Sequence, residues 1–584
     1  MKYIFIKHLY IDRFLIVVLL VLISCDSKKT NDTKPDSKAN QDNVEFYNGS
    51  KVILDKYDNK TVENLAILCK IWGFLKYYHP SIAEGNYNWD YELFRIMPYV
   101  LHASDEKGRN EVLSNWIKRL GKVKKSNRSI STDTTVVKIM PDIDWINNTA
   151  LLGKDLSKQL NDVKNAERTG KHYYVDFFPE TDNPNFTNEK THARFCYLDA
   201  GYRLLALFRY WNIIEYYYPY KYLTDRNWNE ILTEFIPKFI NAKSELAYVL
   251  TLQRLICQIN DSHALIQGNR RLDRHLGAIS LPVEITFVEN KALVTYVYKG
   301  YAKRSSLKVG DIIMSIDNIS VDSIVRKKSK FISASNHSAL LRDVAAELPR
   351  ASKPKLPVTY QRGNNIIKDS IQYYVRKTLP IRNLYQRYQP LVKTLDNDIT
   401  YIYLGTTKKS SIPDNIMSKG LIIDLRCYPS LDAVSGFEEF KQLYPNKVAY
   451  AKETKGSIEY PGMFTYKPTA EIGDDNPSYY KGKVVILANE LSQSLAEIVA
   501  MKYRCAPNSI IIGSQTAGAD GYISRFVLPG GVVTRITGTG VYYPDGRETQ
   551  RIGIIPDIEV KPTIKGIRQG RDEVLEKAME IINQ

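Results

Sequence analysis

The stretch Val484-Val485-Ile486-Leu487-Ala488-Asn489-Glu490-Leu491-Ser492-Gln493-Ser494-Leu495-Ala496-Glu497-Ile498 decides the reading of this chain. Five consecutive apolar residues form a strand buried on both faces, a short polar turn follows, and the 3–4 spacing after Ser494 starts a helix. Ser494 thereby sits at a helix N-terminus, where unpaired N–H groups and the dipole favour negative charge. An acyl-transfer oxyanion needs such a place. The same residues also read as a capping box, Ser494-x-x-Glu497, which requires no chemistry.

Outward from this point, residues 384–562 alternate strands and helices. Strands are expected at Ile399 to Leu404, Gly420 to Asp424, Lys483 to Ala488 and Ser509 to Gly513, with a helix over 494–503. That order specifies an α/β core. A terminal helix is expected within 563–584. Tyr542 to Asp557 carries the turn Pro544-Asp545-Gly546, a hairpin signal.

Upstream, residues 278–376 change period to short alternating runs: Leu281 to Phe287, Lys291 to Val297 and Asp311 to Ile316. They predict a small β-rich module. Its Leu307-Lys308-Val309-Gly310-Asp311-Ile312-Ile313 stretch resembles the core of PDZ domains. The resemblance implies capture of extended peptides along a sheet edge.

Residues 46–277 read as mainly helical, with a repeat over about 62–100 and 201–239. Trp72-Gly73-Phe74-Leu75-Lys76-Tyr77-Tyr78-His79-Pro80 parallels Trp211-Asn212-Ile213-Ile214-Glu215-Tyr216-Tyr217-Tyr218-Pro219. Trp89 parallels Trp228 at the same offset of 139 positions. Two copies of one helical hairpin follow, each first helix ending at its proline. Aromatic stripes at this spacing read as core anchors. The polar stretch 124–190 offers one strand candidate, Tyr173 to Phe178. At the end of the helical region lies Asn260-Asp261-Ser262-His263, a polar turn just before the period changes.

The N-terminus reads as an address. Lys2, Lys7 and Arg13 precede an apolar run from Phe14 to Ile23, too short for a permanent span, and Ser24-Cys25 follow. This order resembles the lipobox of bacterial lipoproteins. The resemblance implies that residues 1–25 are a signal peptide and that lipidated Cys25 anchors the chain to a membrane of the cell envelope. Residues 26–45 read as a flexible tether.

Of 584 residues, 44% are hydrophobic and 25% charged, ordinary for a chain with several cores. The +17 net charge comes from 81 Lys and Arg against 64 Asp and Glu. The excess is spread along the sequence in short clusters, so it reads as a diffuse surface property, with no nucleic-acid partner indicated. The five cysteines after Cys25 lack CxxC spacing, so neither a disulfide scaffold nor a metal site is indicated. No cofactor motif is present.

Together the pieces resemble peptidase family S41, the tail-specific or C-terminal processing proteases. The resemblance covers roughly 255–562. It rests on Gly420-Leu-Ile-Ile-Asp-Leu-Arg426, the Ser492-x-Ser494-x-x-Glu497 helix, Gly513-x-x-Thr516-x-Gly518 and Gly553-Ile-x-Pro-Asp557. It implies a multidomain α+β chain: the helical N-terminal region, the PDZ-like module and a ClpP/crotonase-like α/β catalytic core. It implies a serine endopeptidase of peptides or unfolded protein tails, with Ser494 as nucleophile. Ala519 and Asp520 follow Gly518 where the Ser/Lys branch has lysine, so the chain instead resembles the tricorn-like branch. There Ser262-His263 supplies the base, His263, and an acid before Gly553 supports Ser262. Gln550 falls at that position, and Glu548, two residues earlier, is preferred for its charge. The N–H groups of Leu495 and Cys427 are the implied oxyanion donors. Arg426-Cys427-Tyr428-Pro429-Ser430 departs from the family's Gly-Asn-Pro-Gly. A catalytically degenerate peptide-binding lipoprotein is the alternative. A histidine base would make activity fall as pH drops through about 6–7.

Overall fold

The computed structural model describes residues 39, 44–127, 133–381, 392–413, 415–438 and 441–584. Residues 1–25, with the signal-peptide and Cys25 lipidation readings, and nearly all of the 26–45 tether lie outside the described residues. No helix among the described residues is long and apolar enough to cross a membrane. The chain is a mixed α+β protein with separate hydrophobic cores in its helical, β-rich and α/β parts.

In the first part, Asp58 caps helix Asn59–Tyr78 by accepting from the Thr61 N–H, and the helix stops at His79 before Pro80. Helices Trp89–Leu101 and Trp228–Asn241 each start behind an asparagine cap and each hold one internal proline, Pro98 and Pro237. The tryptophans clasp one another reciprocally. Trp72 Nε1 donates to Trp89 O at 3.0 Å and Trp89 Nε1 to Trp72 O at 2.9 Å. Trp211 and Trp228 make the same pair of bonds, at 2.9 and 3.1 Å. These indoles are buried, so each N–H needs such a partner, and the carbonyls supply it. Between the helices lies a buried charge cluster of Lys76, Glu189, Arg209, Asp90 and His192.

Within 124–190 the structure differs from the sequence expectation. Helix Thr149–Lys164 buries Leu152, Leu156, Leu160 and Val163, and only Asp176–Phe177 of the strand candidate is extended. Lysines, aspartates and asparagines between those apolar positions masked the helical period. Val137–Ile139 joins Phe464–Tyr466 in another sheet.

In 278–376, strands Asn365–Gln372, Lys355–Arg362, Ile312–Ile316, Lys291–Val297 and Val283–Val288 lie side by side in that order, all antiparallel. Val283–Val288 is an edge strand, and helix His337–Glu347 packs beside it.

The α/β core orders its strands as Val392–Leu395, Ile399–Tyr403, Gly420–Asp424, Lys483–Ala488, Ser509–Gly513 and Ile558–Glu559. All neighbours after the first pair are parallel. The middle strands carry almost no exposed residue, which is why their sequences run apolar without alternation. The C-terminal segment forms two helices, Ile564–Arg568 and Glu573–Asn583, parted at Gly570 with φ 70°. A three-stranded sheet joins distant parts: Ile523–Leu528 pairs Val532–Thr537, which pairs Ile266–Gln267. It brings the turn after the first helical part against the core. Arg209 holds the Val527 carbonyl at 2.8 Å and Tyr248 that of Pro529 at 2.6 Å, so the helices brace this sheet.

Candidate active site

Ser494 lies between strand Lys483–Ala488 and helix Leu495–Arg504 with φ 58°, a left-handed conformation that a residue with a Cβ seldom adopts. Its surroundings hold it there. Ser492 Oγ donates to Leu425 O at 2.6 Å, tying the turn to the neighbouring strand end. The Ser494 N–H donates to Glu497 Oε2 at 2.9 Å. Glu497 is fully buried and also accepts from Thr516 Oγ1 at 2.5 Å, Gly518 N at 2.8 Å and Ala519 N at 3.1 Å. Burial pushes its carboxyl up, against the pull of those donors. Glu497 thus caps the helix and fixes the loop 516–519 in one act. Gly518 has φ 66°, and a Cβ there would lie 2.8 Å from the Arg551 carbonyl carbon, so only glycine fits.

Asp520 is buried beside this carboxylate. Its Oδ1 accepts from Gly521 N at 2.7 Å, and its Oδ2 has no partner among the described residues. Burial, then the charge of Glu497, pushes its carboxyl well above the usual carboxylate range.

His263 follows Asn260, whose left-handed backbone ends the last helical turn. Its Nδ1 lies 2.8 Å from Thr537 Oγ1. Thr537 Oγ1 donates to Asp261 Oδ1 at 3.1 Å, and Asp261 Oδ2 accepts from Thr537 N at 2.8 Å. A hydroxyl has one proton to give. With that proton committed to Asp261, Thr537 accepts from an Nδ1–H, and the Nε2 lone pair of His263 is left open. Burial lowers His263 to about 4, against the opposite pull of Asp261 and helped by Arg535 and Arg342.

His263 and Ser494 make no direct hydrogen bond among the described contacts; Arg535 Nε donates to the His263 carbonyl at 2.7 Å and so fixes the turn that carries the ring. Ser262 does not reach the His263 ring. Its Oγ accepts from Ser335 N and its N–H donates to Ser335 Oγ, each at 2.9 Å. Gln550 Nε2 reaches that same Ser335 Oγ at 3.5 Å, so it meets Ser262's partner rather than Ser262. Glu548, preferred on charge, is placed elsewhere: its Oε1 accepts from Lys138 Nζ at 3.1 Å and Tyr222 OH at 2.7 Å. Of the two expected oxyanion donors, Leu495 N–H has no partner among the described residues. Cys427 N–H instead donates to Leu425 O at 2.7 Å, because the loop closes on itself there. Asp261 and Thr537 are the members the sequence reading missed. Only Asp261, two residues from His263, carried a signal there.

A cavity of about 740 Å³ opens between strand Val283–Val288, helix His337–Glu347 and the strand ends at Ala488 and Gly513.

A mixed α+β chain with a strained serine at the strand-to-helix turn of a parallel sheet is the class these elements define. Residues 412–560 match the model of peptidase family S41. A carboxy-terminal-processing protease of Bartonella bacilliformis is 29% identical over 170 residues, 29% of this chain and 36% of that protein. The match thus spans about a third of the curated relative's length. Mature CPAF complexed with lactacystin is similar in fold, with a TM-score of 0.51 at 12% identity over 66% of this chain and 98% of that one. Mature CPAF alone gives a TM-score of 0.50 at 13% identity, over 66% and 96%. Residues 412–560 are thus similar to peptidase family S41, and the likeness to CPAF is one of fold. Ser494 lies inside the matched segment, and His263 precedes it.

Proposed function

We propose that this chain is a serine endopeptidase acting on peptides or unfolded protein tails. The observation that carries the reading is Ser494 at φ 58° between the buried strand and the helix, inside the segment that matches the family. Ser494 Oγ attacks the scissile carbonyl and its proton passes to His263 Nε2, since a serine hydroxyl needs a neighbouring base. The carbonyl becomes an oxyanion facing the Leu495 N–H. Collapse breaks the C–N bond, and the leaving amine takes the proton from His263. Water then hydrolyses the acyl-Ser494 ester by the same route in reverse. Asp261, through Thr537, holds the ring in the tautomer this needs.

The 278–376 segment serves as the PDZ-like module. Its edge strand Val283–Val288 has an open side for an added peptide strand, and the cavity beside it leads to the core strand ends. The 62–100 and 201–239 hairpins are two copies of one unit, consistent with their matching tryptophan clasps. Lipidated Cys25 holds the enzyme on an envelope membrane, with 26–45 as its tether.

The test is mass-spectrometric mapping of a fluorophosphonate adduct on the chain lacking residues 1–25. An adduct on Ser494 that disappears in His263→Ala is the expected result. Folded protein with no adduct would overturn the reading in favour of a non-catalytic peptide-binding lipoprotein.

A further inference from the structure

Ser494 and His263 stand on separate elements and share no direct bond among the described contacts, so other groups set the distance between them. One segment of the β-rich part, 333–342, touches the surroundings of both. On the His263 side, Ser335 N donates to Ser262 Oγ and Ser262 N donates to Ser335 Oγ, each at 2.9 Å. Asp261 N donates to Ser333 Oγ at 3.3 Å. On the Ser494 side, Arg342 Nη1 donates to Glu490 O at 2.8 Å, in the turn that leads to the serine. Asn336 Nδ2 donates to Thr516 O at 2.8 Å, on the loop that Glu497 holds. Asn336 also caps helix His337–Glu347, its Oδ1 accepting from Ala339 N at 2.9 Å, so these grips belong to one helix start. Ser335 is 1% exposed, and its carbonyl and hydroxyl also accept from Arg551 Nε at 3.3 Å and Gln550 Nε2 at 3.5 Å.

We infer that Ser335 is a positioning residue of the candidate site, setting the turn that carries His263 against the turn that carries Ser494. The assignment rests on the reading of these two residues as base and nucleophile. The turn 260–263 is held from two sides. On one side, Thr537 meets Asp261 and the His263 ring, and Arg535 Nε donates to the His263 carbonyl at 2.7 Å. None of these bonds reaches Ser262. Ser262 is buried, so its N–H needs an acceptor, and Ser335 Oγ supplies it. Ser335 thus takes both the main chain and the hydroxyl of Ser262 and closes the other side. Because 333–342 also grips Glu490 and Thr516, a shift at Ser335 changes the separation of base and nucleophile. Acyl transfer depends steeply on that separation. The β-rich part thereby supplies a piece of the catalytic framework as well as an edge strand.

Ser335→Ala and Ser262→Ala, made in the full chain and compared with wild type below their melting temperatures, test this. Each opens the pair from one side, so either carries the test should the other fail to fold. Turnover of dye-labelled denatured casein at neutral pH should lose kcat by about 10–100-fold, the cost of misplacing reacting groups. KM should stay within about twofold, since the loss falls on the transition state. The second readout is the rate at which a fluorophosphonate labels Ser494, followed against pH. The charged groups facing His263 are Asp261 on its own turn, Arg535 on the neighbouring strand and Arg342 on the helix. With the turn loosened, water reaches the ring, and the acid limb should move up from about 4 toward 6.5. A lower melting temperature with wild-type kcat and an unmoved acid limb would overturn this assignment alone and leave Ser335 a packing residue. Equal turnover by wild type and Ser494→Ala, or no labelling of Ser494 in folded wild type, would overturn the nucleophile reading and this assignment with it.

Discussion

Thr537 Oγ1 stands between His263 Nδ1, at 2.8 Å, and Asp261 Oδ1, at 3.1 Å, so a hydroxyl relays the acid's orientation to the imidazole. Thr537→Val keeps the shape and removes the relay. Nδ1 then loses its acceptor, and the proton is free to settle on Nε2, where it blocks the base. The expected result is a fall in kcat of about 10–100-fold, within the range for acid–base assistance, with KM little changed. Thr537→Ser should restore most of the rate. A nitrogen-15 spectrum of the His263 ring should show the Nδ1–H tautomer in wild type and a mixture in the valine variant. Wild-type kcat in Thr537→Val would remove Thr537 from the mechanism.

The acid limb of the rate profile follows from burial. An exposed histidine would lose its base function through about pH 6–7, as the sequence alone suggests. Burial lowers His263 to about 4, so the neutral ring persists to lower pH. Activity on a stable peptide substrate should therefore hold as pH falls through 6 and halve near 4. A midpoint at 6.5 would show that water reaches the ring in the working enzyme.

The same shift weakens the fold in acid. His79, buried, and His172, half-buried, are likewise lowered to about 4. The unfolded chain binds protons on all three rings below about 6.5, while the native state refuses them down to about 4. Their contribution is complete above pH 6.5 and is lost as pH falls toward 4, on the order of 3 kcal/mol per ring across that window. Melting temperature should drop steadily between pH 6.5 and 4. Replacing His79 by glutamine should flatten part of that slope, and an unchanged slope would count against a buried neutral His79.

The two hairpins meet where their sequences differ. Gly73 and Asn212 hold corresponding places in the repeat, and a Cβ on Gly73 would lie 1.7 Å from Asn212 Oδ1. Asn212 Nδ2 donates to Cys69 O at 3.1 Å and Phe208 O at 2.9 Å, so its side chain is fixed. Gly73→Ala should destabilise the protein by about 1–3 kcal/mol through overpacking, read by chemical denaturation. Adding Asn212→Ala should recover part of that loss. Additive effects of the two changes would show that the residues do not meet.

The parallel strands and the Ser494 turn were legible because a continuous apolar run followed by a helical period has few other solutions, as Val484 to Ile498 shows. The partners of Ser494 and His263 were not legible in the same way. Thr537 lies 274 residues from His263 and joins it only through the pairing of Val532–Thr537 with Ile266–Gln267. Glu548 was preferred for its charge, yet Lys138 and Tyr222, far away in sequence, hold it. Charge and spacing name candidates, but long-range pairing selects among them.

Arg209 connects the buried charges of the helical part to the candidate site, and its replacement separates bracing from chemistry. Its guanidinium meets Asp90 Oδ2 at 2.7 Å, Glu189 Oε2 at 2.9 Å and the Val527 carbonyl at 2.8 Å, with no solvent exposure of its own. Val527 lies on the strand paired with Val532–Thr537, which carries both Arg535 and Thr537. Arg209→Met leaves two buried carboxylates with only Lys76, on Glu189, and His192, on Asp90, beside them and releases the strand. The expected cost is about 3–5 kcal/mol, the usual penalty for removing one partner of a buried ion pair. Because the Thr537 strand loosens with it, kcat should also fall at temperatures where the variant remains folded. Arg209→Lys, which keeps the charge but not the fork, should recover stability better than activity. Full kcat in folded Arg209→Met would show that the helical part stabilises the chain without setting the geometry around His263.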